Sequence, residues 1–76
     1  MCNETPEYFV KKGIAAGNNG NHEAALKYFN RAIEIKPTYI DAWFYKTLAL
    51  RNLGRYDEAL ECFKKALILD RLKNNK

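Results

Sequence analysis

Few side chains in this sequence could do chemistry. His22 is the single histidine and stands beside Glu23, a pairing that could move a proton. Cys2 and Cys62 could supply a thiolate or metal ligands, and the run from Gly17 to Asn21, GNNGN, could cradle a phosphate on backbone amides. Each falls short of what its chemistry requires. There is no serine for a nucleophile, and His22 aligns with Tyr56 in an internal repeat, which favours a packing and loop role. The two cysteines are too few and too far apart for a disulfide framework or a metal site and read as free thiols. GNNGN lacks the following lysine and precedes no nucleotide-binding unit. The expectation is a protein that is not an enzyme, with no metal and no cofactor.

The elements that carry these residues are more informative. At 76 residues, 47% hydrophobic and 29% charged, the chain has the composition of one small folded domain with a marginal core. No apolar run is long enough to span a membrane, and the start lacks the pattern of a signal peptide, so a cytoplasmic protein is expected. The formal charge is +4, but bases and acids interleave, as in Glu23 with Lys27 and Glu61 with Lys65, the acid-first spacing that supports a solvated helix face. Without a continuous basic stripe, single-stranded nucleic acid is the weakest of the binding readings.

Laid against itself at an offset of 34 residues, the chain places Phe9 over Trp43, Ala15 over Ala49, Gly20 over Gly54, Ala25 over Ala59, Phe29 over Phe63 and Ala32 over Ala66. Apolar residues recur every three or four positions within each copy, and the spacing predicts helices over 6–18, 22–36, 39–53 and 56–72. Thr5 before Pro6, Asn21, and Thr38 with Asp41 three residues on are expected N-caps, and Gly20 and Gly54 are expected to end the first helix of each copy. Short connections make each copy an antiparallel hairpin. The small and aromatic side chains Phe9, Ala25, Phe29, Ala32, Trp43, Ala59, Phe63 and Ala66 form the expected core.

The series Phe9, Gly13, Gly20, Ala25, Phe29, Ala32, Pro37, then Trp43, Gly54, Tyr56, Ala59, Phe63, Ala66, resembles the tetratricopeptide repeat. The resemblance implies an all-α fold: four helices forming two hairpins in a right-handed solenoid, with a tail at 1–5, repeats at 6–39 and 40–73, and a tail at 74–76. Lys12 and Lys46 stand where the family has leucine, and their stems are expected to lie on the core. Thr47 stands where Gly13 stands in the first copy and should hold the second hairpin slightly wider. Arg55 replaces an acidic cap and Arg71 the closing proline.

The resemblance also implies a protein-interaction module or assembly scaffold whose first helices line a concave surface. The stripe expected there is Glu7, Val10, Ile14, Gly17 and Asn18 on the first helix, then Asp41, Phe44, Tyr45, Leu48, Arg51 and Asn52 on the third. An exposed apolar arc of this kind suits a partner helix or an extended peptide. Two readings stay open: a binding groove, or a surface covered by curvature and the chain's own ends. Chaperone-binding members hold terminal carboxylates with Lys and Asn. Val10, Ile14 and Tyr45 fall at those places here, which speaks against that ligand. At the other end, Ile68, Leu69 and Leu72 continue apolar where a cap or further repeat is expected. That edge suggests either a homodimer or a piece of a longer array.

Overall fold

The computed structural model describes residues 4–74. Four α-helices follow one another: α1 (Pro6–Asn18), α2 (His22–Ile35), α3 (Ile40–Asn52) and α4 (Tyr56–Asn74). No strand occurs among the described residues. Each helix packs chiefly on the next, α1 also touches α3, and the result is a slab 38 × 36 × 16 Å.

Helix ends follow the residues that mark them. The Thr5 hydroxyl accepts from the Tyr8 amide at 3.1 Å, and the Asn21 side chain accepts from the Ala24 amide at 3.2 Å. Both first helices close in the same way. Gly20 and Gly54 take φ of +82° and +78°, conformations that cost a glycine little. The next amides, of Asn21 and Arg55, donate back to Ala16 and Leu50, each at 2.9 Å, completing a Schellman closure twice.

The third helix departs from expectation. Its cap residue is Tyr39, without a side-chain cap, and Thr38 stands one position too early to serve. Pro37 is the cause: it sets a turn closed by the Tyr39 amide on Lys36 oxygen at 3.0 Å, which delays the helix by one residue. The Trp43 indole N–H donates to the Pro37 carbonyl at 2.8 Å and ties the turn to α3 instead.

The core is built largely of small side chains. Ala25, Ala32, Ala42, Ala49, Ala59 and Ala66 are all buried, together with Leu26, Phe29, Leu50 and Cys62. Phe9 and Trp43 are half-buried against this core. Phe63 corrects the expected core list, because it is 41% exposed whereas Phe29, its counterpart, is 3% exposed. Two neighbours explain the difference. A Cβ on Gly13 would come within 2.8 Å of the Phe29 ring, so the ring occupies space that only glycine leaves free. Tyr45 of α3 then stacks on the ring's other side, centroids 5.5 Å apart. In the second copy the place of Gly13 is taken by Thr47, and no following helix covers Phe63 among the described residues. It leans on Phe44 instead, at 6.1 Å.

Glu23, Lys27, Glu61 and Lys65 are all exposed on solvated helix faces, and no ion pair joins Glu23 to Lys27 or Glu61 to Lys65, since such side chains gain little from holding one geometry in water. The pairs that form are Arg31 with Glu4 and Glu34, at 3.3 and 3.1 Å, and Arg55 with Glu58 at 2.8 Å. The Arg55 fork across the first turn of α4 lowers the Glu58 carboxyl below its ordinary range. Lys65 lies over the Trp43 ring at 6.0 Å, and half-buried Lys46 lies over the same ring at 5.6 Å. Lys12 is exposed, with its ammonium 6.0 Å from the Tyr8 ring.

Gly13→Ala is expected to destabilise the protein by about 1 to 3 kcal/mol through overpacking. Gly17→Ala meets only ordinary contact, 3.8 Å from Ala25, and is expected to be neutral or stabilising. Urea melts of the two variants check this, and equal midpoints would contradict it. Phe29→Ala should likewise cost about 3 to 5 kcal/mol, but Phe63→Ala only about 1 kcal/mol. Comparable losses in calorimetry would refute the asymmetry between the copies.

Candidate functional site

A hollow of about 170 Å³ lies between α1, the start of α2 and α3. Its floor is the Phe29–Tyr45 stack with Ala25 and Ala49, and its walls are Ile14 and Leu48. Asn18 and Asn52, equivalent residues at the ends of the two first helices, form the polar rim with His22. Leu48 is exposed and Ile14 and Tyr45 are half-buried, so the apolar lining is open to a ligand.

Six of the residues expected there therefore line it: Ile14, Gly17, Asn18, Tyr45, Leu48 and Asn52. Five expected ones do not. Val10 is 6% exposed and belongs to the core, because α1 turns that side toward α2. Phe44 packs on Phe63 of α4. Asp41 faces a separate hollow at the start of α3, and Glu7 and Arg51 are exposed away from the lining. Phe29, Gly13 and His22 were not anticipated at the site. Phe29 was read as core alone, and at 3% exposed it is core, yet its ring also lines the hollow where residue 13 carries no Cβ. The glycine repeat in the first helix, at 13 and 17, was the available signal.

The second hollow, about 490 Å³, lies between the 36–41 turn and the end of α4. Leu69 and Leu72 line it with Lys36, Tyr39, Asp41 and Lys73, so Leu69 is half-buried while Ile68 and Leu72 remain exposed. Partial burial pushes the Tyr39 phenol above its ordinary 10.0, and the nearby carboxylates of Glu7 and Asp41 push it the same way.

Little here is suited to catalysis. Among the described residues no group of three His, Cys, Asp or Glu side chains could hold a metal ion. Cys62 is a free, buried thiol, and its burial raises its pKa, which suppresses the thiolate. The expectation for Cys2 lies outside the described residues. No described helix is long and apolar enough to cross a membrane.

Comparison with known proteins places this geometry. A tetratricopeptide repeat family model matches residues 10–74. The chain belongs to the tetratricopeptide repeat family. An uncharacterised protein of Methanocaldococcus jannaschii is 58% identical over 65 residues, covering 86% of this chain and 76% of that protein. A small glutamine-rich tetratricopeptide repeat-containing protein of Mycosarcoma maydis is 32% identical over 66 residues, covering 87% of this chain but only 19% of its own length. Among solved structures, the crystal structure of MamA protein superposes with a TM-score of 0.82 at 32% identity, over 93% of this chain and 40% of that one. The all-α fold is thus a tetratricopeptide solenoid of two hairpins, a fold of protein interaction.

The raised Tyr39 value means the folded protein holds that proton more tightly than the unfolded chain. Its contribution to stability is therefore intact below pH 10.0 and is lost as pH rises through the folded value. Asp41→Asn removes one of the charges and is expected to bring the Tyr39 titration down, as followed by NMR. An unchanged or upward shift would contradict the assignment.

Proposed function

We propose that the chain is a non-enzymatic protein-interaction module that takes an apolar side chain of an extended peptide or partner helix into the concave hollow. The observation that carries this reading is the pairing of an aromatic floor, Phe29 on Tyr45, with an exposed Leu48 beside it. An open apolar surface gains by being covered, roughly 25 cal/mol for each Å² removed from water. Asn18 and Asn52 are both exposed and stand one repeat apart, and a side-chain amide offers a donor and an acceptor to a peptide backbone. The hollow thus selects an apolar anchor and tolerates many sequences around it. Charge does little to choose the ligand, because Arg31 and Arg55 are engaged by carboxylates and Lys46 and Lys65 lie on Trp43. That arrangement also weighs against nucleic acid as the partner.

Peptides selected on the wild-type protein from a random display library provide the test. Leu48→Asp should weaken the selected peptides at least tenfold in a fluorescence titration, the effect of about 1.4 kcal/mol, while Ile68→Glu should leave them unchanged. Equal affinity for wild type and Leu48→Asp would remove the hollow from consideration.

A further inference from the structure

One face of α4 carries Tyr56, Leu60, Phe63 and Leu67, and its last three repeat, at the 34-residue offset, Leu26, Phe29 and Ile33 of α2. On α2, Leu26 and Phe29 are buried and Ile33 is half-buried, and Tyr45 of α3 stacks on Phe29. On α4 no described residue takes the place of α3, and Leu60, Phe63 and Leu67 are 52%, 41% and 48% exposed. Their spacing, four, three and four residues, is that of a coiled-coil seam two heptads long.

We infer that this stripe is the contact between two copies of the chain, with α4 packed antiparallel on its twin about a two-fold axis near Phe63. The covering of α2 shows what such a face accepts. There α3 presents Ala42, Tyr45 and Ala49, an aromatic side chain with apolar ones three before and four after. The stripe itself presents Leu60, Phe63 and Leu67 at the same spacing. A second copy, turned about the two-fold, therefore sets ring against ring at the centre and Leu60 against Leu67 on either side.

Charge favours the same arrangement. The first turn of α4 holds Asp57 and Glu58, and its last turn holds Arg71 and Lys73. Antiparallel pairing brings acidic end to basic end twice and opposes the two helix dipoles. Head-to-tail stacking, by contrast, would require α1 to serve as α3 does. At the places of Ala42, Tyr45 and Ala49, α1 has Tyr8, Lys11 and Ala15. Tyr8 would need the space that fully buried Ala42 fills, and Lys11 would bring a charge where the stacked ring sits. The contact is thus isologous and closes at two copies instead of growing into a filament. Two helices paired along one stripe bury an area at the low end of specific interfaces, so the dimer should dissociate on dilution.

Sedimentation equilibrium of the full chain should show a mass near twice 8.8 kDa at high concentration. That mass should halve with Phe63→Glu or Leu67→Lys, and should be unaffected by Ile68→Glu, which lies off the stripe. Both target side chains are already exposed, so circular dichroism of the variants should show unchanged helix content. Phe63→Cys, in a background with Cys2→Ala and Cys62→Ala, should cross-link to its own twin on oxidation, as only a residue near a two-fold can. A wild-type monomer up to millimolar concentration would overturn the inference. So would a mass that grows past two copies, a dimer indifferent to Phe63→Glu, or the absence of the Phe63→Cys cross-link.

Discussion

The Phe29 ring lies where a side chain on residue 13 would have to be, and the rest of the molecule depends on that. α1 can approach α2 closely because Gly13 yields the space, and α3 is then seated by Tyr45 stacking on the ring's far side. One aromatic side chain therefore joins three helices and both repeats. The second copy of the repeat has Thr47 in place of that glycine, and its own aromatic residue, Phe63, is turned outward against Phe44. The Thr47 hydroxyl donates to the Trp43 carbonyl at 2.9 Å, so the bulkier side chain is accommodated along its own helix.

Buried alanines set the scale of everything around them. Helices that cross on Ala25, Ala32, Ala42, Ala49, Ala59 and Ala66 pack close, and the larger apolar side chains are pushed to the margins of each crossing. A 76-residue chain cannot cover all of those margins. What remains open is an aromatic-floored hollow between α1 and α3 and an apolar stripe along α4. Both are by-products of how the repeat closes its core.

Electrostatics play a limited part in holding this together. There is no buried polar or charged side chain among the described residues. The ion pairs are exposed and span a turn or tie a terminus, worth little each in water. Arg31 and Arg55 are engaged by Glu4, Glu34 and Glu58, and Lys46 and Lys65 by the Trp43 face.

Most of the architecture was legible in the residues. The period of 34, the helical spacing, Thr5 and Asn21 as caps, and the two glycines with positive φ are local facts, and local geometry obeyed them. Thr38 misled because a proline turn outweighs a capping preference when both compete for the same amides. Residues on the faces between helices were less legible. Val10 and Phe44 have the spacing of groove residues, yet one is core and the other leans on α4, because the rotation of each helix is decided by its neighbours. Phe29 and Phe63 are the same letter at the same place in the repeat. By itself the sequence determined four helices, most of their ends and their pairing, since these follow from backbone hydrogen bonds and short connections. Only the tertiary structure decided which aromatic ring is floor and which is surface, because that turns on a missing Cβ at Gly13 and on a helix that covers one ring and not the other.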